Sequence, residues 1–151
     1  MKPKTILKTA CILLLPLLLV SSASTRTVPD ADEIRAGIDA SNQEFRDAFR
    51  AADVDRLTDL FTRDAKIMVP LIPIVSGRDA IREYMQYWID FGIRDVRIVT
   101  EEVYGSGDIA LEIGHTTSIL ADGKELARTR DMAVWKYEGG RWRVHRLLSN
   151  Q

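Results

Sequence analysis

Three short turns divide the second half of the chain into four long runs rich in β-branched and aromatic residues. The turns GSGD (105–108), ADGK (121–124) and GG (139–140) contain Gly or Asp, which tight hairpin turns favour. The runs between them are VRIVTEEVY, IALEIGHTTSIL, ELARTRDMAVWKYE and RWRVHRLLS. Because short turns force consecutive strands side by side in opposite directions, the sequence predicts an antiparallel meander over residues 96–149.

The preceding part of the chain has the periodicity of helices. Asp30 and Glu33 can form a capping box, after which apolar or small residues recur every three or four positions. Asp53 can cap a short second helix, and Gly77 precedes a third helix that ends at Gly92. These signals predict three helices before the meander.

A single early strand separates the second and third helices. It covers residues 66–69, stops at Pro70, and is followed by LIPIV (71–75), which we expect to be an apolar loop. The chain has 151 residues, of which 46% are hydrophobic and 28% charged, a composition typical of one globular domain. Three helices, one early strand and a meander predict the α+β class.

The amino terminus has the pattern of a secretory signal. Three lysines precede ILLLPLLLV (12–20), and the small residues SSAS follow. We predict a signal peptide over residues 1–23, a short polar lead over 24–29 and the folded domain over 30–151. A retained membrane anchor is the alternative, but the apolar run is short and contains a proline. The prediction is therefore an exported protein, periplasmic or secreted, with no membrane partner after cleavage.

Charge and cysteine content exclude other classes of partner. Removing residues 1–23 removes three of 21 basic residues and no acidic one, so the mature charge is 18 minus 22, or −4. No basic run remains that would indicate nucleic acid. The single cysteine, Cys11, lies within the predicted signal, and the two histidines lack HxH or HxxxH spacing. The sequence predicts no metal and no cofactor.

Four motifs in order resemble the SnoaL-like family of the nuclear transport factor 2-like superfamily. They are F-x-x-A-F-x-A-x-D (45–53), L-F-T-x-D-A (60–65), G-R-D-A-I-R-E-Y (77–84) and W-K-Y followed by G-x-W-R-V (135–144). The resemblance implies a cone-shaped, curved antiparallel sheet wrapped around three helices, with a deep and largely apolar cavity. It also implies a homodimer through the outer sheet face. Apolar residues on both faces of the last three strands fit such a cover, although scattered apolar groups are also ordinary on a monomer.

The best-understood catalysts of that fold, the ketosteroid isomerases, use a carboxylate base with a Tyr and a protonated Asp. The motifs bring Val69, Phe45 and Ala133, respectively, to these three positions. None of the three side chains can accept or donate the required proton or hydrogen bond. SnoaL-like relatives often carry an acid where Leu147 stands, so a further candidate acid is absent. The resemblance therefore implies the fold without the isomerase chemistry.

Three polar residues remain as catalytic candidates: Asp131, His145 and His115. Asp131 with His145 on the neighbouring strand is the only pair that we can assemble for acid–base work. Each also has a structural interpretation. His115 can be a hydrogen-bonded core histidine, Asp131 can pair with Arg128 or Arg130 across strands, and arginines beside His145 can lower its pKa.

The remaining inward residues are expected to line a pocket. Together with the vacant isomerase positions they comprise Phe45, Val69, Tyr84, Trp88, Ala133, Trp135 and Leu147. Our leading hypothesis is an exported SnoaL-like domain that binds a small, mostly apolar molecule. Two alternatives remain: an isomerase, cyclase or hydrolase that uses Asp131 and His145, and a protein-interaction scaffold. The sequence does not decide whether the protein is an enzyme.

Overall fold

One curved sheet of six strands organises the molecule. The computed structural model describes residues 30–150, so the predicted signal peptide (1–23) and polar lead (24–29) lie outside the described residues. The strands are β1 (Phe61–Met68), β2 (Val75–Ser76), β3 (Ile93–Ser106), β4 (Ile109–Leu120), β5 (Glu125–Glu138) and β6 (Arg141–Asn150). Their spatial order is β2-β1-β6-β5-β4-β3. The predicted four-stranded meander and the α+β class are confirmed.

The early strand adds one feature that the sequence did not predict. β1 pairs with β6 in parallel, whereas every other pair in the sheet is antiparallel. The first two helices precede β1, and the path of the chain through the third helix and the meander brings β6 back beside it. The short β2 then adds an edge to β1 within the segment expected to be a loop.

Local capping chemistry sets the bounds of the helices, which are α1 (Ala31–Arg50), α2 (Val54–Asp59) and α3 (Arg78–Phe91). The predicted capping box of α1 is present, because Asp30 accepts from the backbone of Glu33 and Glu33 accepts in return. Asp53 caps α2, and α3 ends at Gly92 with φ of 114°, a conformation that favours glycine. No helix among residues 30–150 is long and apolar enough to cross a membrane.

The core lies between the helices and the inner face of the sheet. From α1, Ile34, Ile38 and Phe49 are buried against it. Gly37 gives this helix its close approach to β6, since a Cβ there would lie 2.5 Å from Cδ1 of Trp142. Burying each large apolar side chain contributes about 1.5–3 kcal/mol, so the helices are held on the sheet mainly by this face.

An ion-pair network ties α1 to the start of β3. Arg46 donates two hydrogen bonds to Asp95, at 2.9 and 3.1 Å, and Arg50 donates a third at 3.0 Å. Burial alone would raise the pKa of the Asp95 carboxyl, but these bonds and the positive charges lower it to about 2. The network therefore stabilises the fold only while Asp95 is ionised.

We expect the contribution of Asp95 to disappear in acid. Because its folded pKa is below its ordinary value of 3.8, the stabilisation is present above pH 4 and is lost as the pH falls towards 2. Thermal unfolding of wild type and Asp95→Asn, followed across that range, should show a gap in melting temperature that closes on acidification. A gap that stays constant with pH would contradict this account.

Candidate functional site

The inner face of the sheet changes from buried to partly exposed along its strands. Strand alternation and register place Trp135, Ala133 and Asp131 on this face of β5, opposite Val144, Leu147 and Ser149 of β6. Trp135, Ala133 and Val144 are buried, whereas Asp131, Leu147 and Ser149 are partly exposed. The concave side is thus filled at one end and uncovered at the other, which we call the open end of the sheet.

Five of the seven predicted pocket residues line the uncovered part of the core. Phe45, Val69, Tyr84, Trp88 and Leu147 are partly buried and pack against the core. Tyr84 and Trp88 of α3 meet edge to face with centroids 6.0 Å apart, and burial raises the pKa of the Tyr84 phenol. We call these five partly accessible apolar and aromatic side chains the rim.

The other two predicted pocket residues do not line an open space. Ala133 and Trp135 are buried, and the rings of Trp135 and Trp142 occupy the deep part of the concave side. The hollow is therefore shallower than the resemblance implied, because bulky rings fill its base and leave only the open end free.

Asp131 lies on the inner face, as predicted, but without a basic partner. Its Oδ1 accepts hydrogen bonds from Thr129, at 2.9 Å, and from Ser149. The predicted alternative, a cross-strand ion pair with Arg128 or Arg130, does not form. A carboxylate held by two hydroxyls at the open end can accept a further hydrogen bond from a bound molecule.

His145 lies on the outer side of the sheet, so its predicted alignment with Leu147 and Ser149 is wrong. The register of β5 and β6 shifts there, with Trp135 opposite Val144 and Val134 opposite Arg146, which leaves His145 as the extra residue of a bulge. Its Nδ1 is 3.0 Å from Oγ1 of Thr62 and 3.5 Å from Oδ1 of Asp64.

The surroundings of His145 lower the pKa of its imidazole. Burial lowers its pKa, the charges of Arg146 and Lys136 lower it further, and Asp64 only partly offsets them. The sequence expectation that neighbouring arginines depress this pKa is confirmed for Arg146. Because Asp131 and His145 bond to different partners on opposite faces, the predicted acid–base pair is not formed.

His115 also lies outside the concave side. It belongs to the face of β4 opposite the buried Ala110 and Glu112, and its neighbours in register are Val99 and Arg130. Nδ1 is 3.0 Å from Oε1 of Glu101, and the guanidinium of Arg128 is 2.9 Å from Nε2. The prediction of an inward His115 is wrong, and the residue is held in a surface network.

The inner face contains a buried acid that sequence reasoning missed. Glu112 is only 7% exposed and lies opposite Ala133 in register. Its carboxylate accepts hydrogen bonds from Thr100, at 2.6 Å, from Asn42, at 2.8 Å, and from Trp135, at 2.9 Å. An acid therefore does stand beside the vacant isomerase position, but it comes from the neighbouring strand. The signal was that Glu112 is the only acid in β4 and shares a face with Ala110.

A groove between α1 and β3 lies above this acid. Its volume is about 240 Å³, and its lining residues are Arg35, Asp39, Asn42, Gln43, Arg46, Ile98 and Thr100. Asn42 and Thr100 close its floor over Glu112, and the arginines are bonded to Asp95 and to the Thr100 carbonyl. Among the described residues, no cluster of three or more His, Cys, Asp or Glu could hold a metal ion.

Comparison with solved structures identifies the fold. A nuclear transport factor 2-like protein with a cystatin-like fold from Novosphingobium aromaticivorans has a TM-score of 0.67 at 17% identity, over 78% of this chain and 81% of that one. A domain of unknown function with a cystatin-like fold from Nostoc punctiforme has 0.65 at 18% identity, over 78% and 76%. A ketosteroid isomerase-like protein from Erwinia carotovora atroseptica has 0.63 at 23% identity, over 80% and 97%. These identities support the fold alone.

Sequence comparison identifies the family. No curated protein matches this chain. The profile of the SnoaL-like domain matches residues 42–145, which is well over half of the chain and includes α2, α3, the first five strands and parts of α1 and β6. The resemblance read from the four motifs is confirmed, and the chain belongs to the SnoaL-like domain family.

Proposed function

We propose that this protein binds a small, mostly apolar molecule at the open end of its sheet. The observation that carries the proposal is the rim of five partly exposed apolar and aromatic side chains around the concave side. A rim of this kind leaves apolar surface in contact with water, and a ligand that covers it is stabilised by the hydrophobic effect.

The polar end of the ligand would lie at Asp131. Its carboxylate is oriented by Thr129 and Ser149, so a hydroxyl or amine hydrogen of the ligand could donate to it. Such a site combines a large apolar contact with one directional hydrogen bond, which is the usual composition of small-molecule pockets.

Binding is a better-supported function than the proposed acid–base catalysis. The isomerase positions are Val69, Phe45 and Ala133, and His145 lies on the opposite face from Asp131. Any catalysis at the open end would have Asp131 as its general base with no imidazole beside it. If wild-type protein converts a bound metabolite and His145→Ala abolishes this turnover without lowering the melting temperature, the catalytic alternative would replace ours.

Two adjacent leucines provide a matched test. Leu147 belongs to the rim on the inner face, whereas Leu148 is 48% exposed and lies on the outer face. We expect an apolar metabolite panel to contain a ligand that raises the melting temperature of wild type. Leu147→Gln should weaken this ligand at least about tenfold, because it places a polar group against apolar contacts.

The variant of Leu148 is the control for the variant of Leu147. Leu148→Gln should keep the ligand affinity within about twofold even if it weakens the dimer proposed below, because Leu148 lies on the outer face and does not border the concave side. Equal loss in both variants, or a panel without any ligand-dependent shift, would contradict binding at the open end. Native mass spectrometry of wild type as expressed adds a check, because a co-purified small molecule should be absent from Leu147→Gln.

We propose further that the protein is exported and that a second copy covers its outer sheet face. The support for the dimer is a row of apolar residues in register across four strands, namely Met68, Leu148, Met132 and Ile113, with Met132 44% exposed. Light scattering should give twice the chain mass for wild type and a shift to one chain for Met132→Lys. A wild-type monomer would favour the scaffold alternative instead. Export would be tested by the mass of the protein recovered from the periplasm, which should be that of the chain without residues 1–23.

A further inference from the structure

Among residues 30–150, the most exposed apolar surface is the loop between β1 and β2. This apolar loop comprises residues 70–74, with the sequence PLIPI. Leu71 is fully exposed, Ile74 is 58% exposed and Ile72 is 45% exposed. The whole segment 67–77 contains no ionisable side chain, in a chain that is 28% charged. Contiguous exposure of this kind marks an interaction site.

The backbone holds the loop away from the core. Pro70 and Pro73 fix two of its five φ angles, and Leu71 has φ of 71°, which is uncommon for any residue other than Gly, Asn or Asp. A conformation that is both restricted and strained, yet leaves leucine in water, has no stabilising partner within residues 30–150. Any partner that covers these side chains therefore comes from outside residues 30–150.

The loop projects from the open end of the sheet. Met68, the last residue of β1, pairs with Leu148, and the next residue of β6, Ser149, pairs with Asp131. The chain thus leaves the sheet in the row that contains the polar end of the concave side. Whatever covers the loop also lies beside the proposed ligand site.

Positive charges lie behind the tip on β1 and on the adjacent β6. Lys66 and Arg146 are paired in register, and Arg63 is exposed on β1. Among residues 30–150 none of these three side chains forms an ion pair. Asp64, the exposed carboxylate between them, lies beside His145, so the cluster keeps a net positive charge. The charge-free tip followed by unpaired cations has the order that a peripheral membrane contact requires, with apolar groups among acyl chains and cations among anionic headgroups.

We propose that the apolar loop inserts into a lipid bilayer that carries anionic headgroups. A fluid acyl interior accommodates a convex tip of aliphatic side chains, whereas a protein partner would need a complementary groove. The contact departs from the sequence expectation of no membrane partner, which considered only spanning segments and basic runs. It goes beyond the proposed function, since it needs no ligand, but it would bring the open end to a phase in which apolar molecules dissolve.

A fluorescent label on the loop tests the insertion. Cys11 is the only cysteine, so Leu71→Cys in a Cys11→Ser background can be labelled with nitrobenzoxadiazole, whose emission brightens and shifts to the blue in a bilayer. Ser106→Cys provides the matched label position, because Ser106 ends β3 at the filled end of the sheet, away from the loop. Vesicles contain equal parts of phosphatidylcholine and phosphatidylglycerol. Both proteins keep the same amino terminus, so a contribution of residues 1–29 is common to both.

We expect the label at position 71 to brighten and shift on the vesicles and the label at position 106 to stay unchanged. Ile74→Asp should weaken the partition of the position-71 label at least about tenfold, because a charge at the tip resists transfer from water. Ile109→Asp, which changes an isoleucine that is 49% exposed at the other end of the sheet, should stay within about twofold. Higher salt should weaken partition, since the headgroup attraction is screened.

Three results would overturn the proposal. An unchanged label at position 71 would show that the loop does not enter lipid. Equal changes at positions 71 and 106 would show adsorption without orientation. A change at position 71 that rises with protein concentration in the absence of vesicles would assign the loop to a second copy. None of these results depends on the ligand, whose effect on the melting temperature is measured without lipid, so failure of one proposal leaves the other standing.

Discussion

Replacing Gly114 with alanine should lower the melting temperature by roughly 10 °C or more, the largest effect that we expect from any single methyl group. A Cβ at this position would lie 2.2 Å from the carbonyl oxygen of Val99 and 3.3 Å from Cα of Thr100. Both contacts are with backbone, which cannot rotate away as a side chain can. The expected loss is at least about 3 kcal/mol in the free energy of unfolding.

The close approach at Gly114 results from a bulge in the neighbouring strand. The register of β3 and β4 shifts between Thr100 and Glu102, and bulges bend the strand that contains them. Because the bend contributes to the curvature of the sheet, Gly114→Ala should also disturb the concave side. Loss of ligand binding should therefore accompany the loss of stability.

Thermal and denaturant unfolding of wild type, Gly114→Ala and Gly107→Asn would test this. Gly107 is a suitable control because nothing lies within 4 Å of a Cβ there, and its φ of 65° is one that asparagine tolerates. We expect Gly107→Asn to lose about 1 kcal/mol at most. If Gly114→Ala is no less stable than this control, the close approach of β3 and β4 is not a requirement of the fold.

The elements that the sequence predicted are those with local chemical signals. The capping box at Asp30, the cap at Asp53 and the left-handed Gly92 fix helix ends by interactions within a few residues. The three turns fix the meander in the same way. The parallel pairing of β1 with β6 has no such signal, because it depends on the path of more than sixty intervening residues.

The site was less predictable because strand alternation fails at a bulge. Asp131, Leu147 and Ser149 lie on the expected face, but a single extra residue in β6 turns His145 to the outer side. An extra residue changes which residues on its two sides share a face, and bulges have no reliable sequence signature here. Glu112 was missed for a different reason, because an acid in a strand is usually interpreted as a solvent-facing residue.

Replacing Glu112 with leucine should cost about 2–4 kcal/mol, the second large effect. The carboxylate accepts from Thr100, Asn42 and Trp135, and leucine of similar size would leave one buried donor, Trp135, and two partly buried donors without this acceptor. Each unpaired donor costs about 1–3 kcal/mol, while the added apolar burial returns part of that sum. Trp135 is most affected, since an indole N–H has no other role than to donate.

The size of the loss in Glu112→Gln distinguishes charge from hydrogen bonding. Glutamine keeps one carbonyl oxygen but presents its amide hydrogens to a donor, so we expect a loss of roughly 1–2 kcal/mol, between wild type and leucine. Trp135→Phe combined with Glu112→Leu provides the control, because the double variant should lose less than the sum of the single changes.

If Glu112→Leu were as stable as wild type or more stable, the conclusion about Glu112 would change. Buried ionised groups are sometimes retained although an apolar replacement is more stable. If Glu112→Leu unfolds at the wild-type denaturant midpoint or above it, the three hydrogen bonds do not offset the cost of burying the charge. Glu112 would then lower the free energy of unfolding relative to leucine, which favours a functional role for its carboxylate. The groove above Asn42 and Thr100 would be the first region to test for a bound molecule.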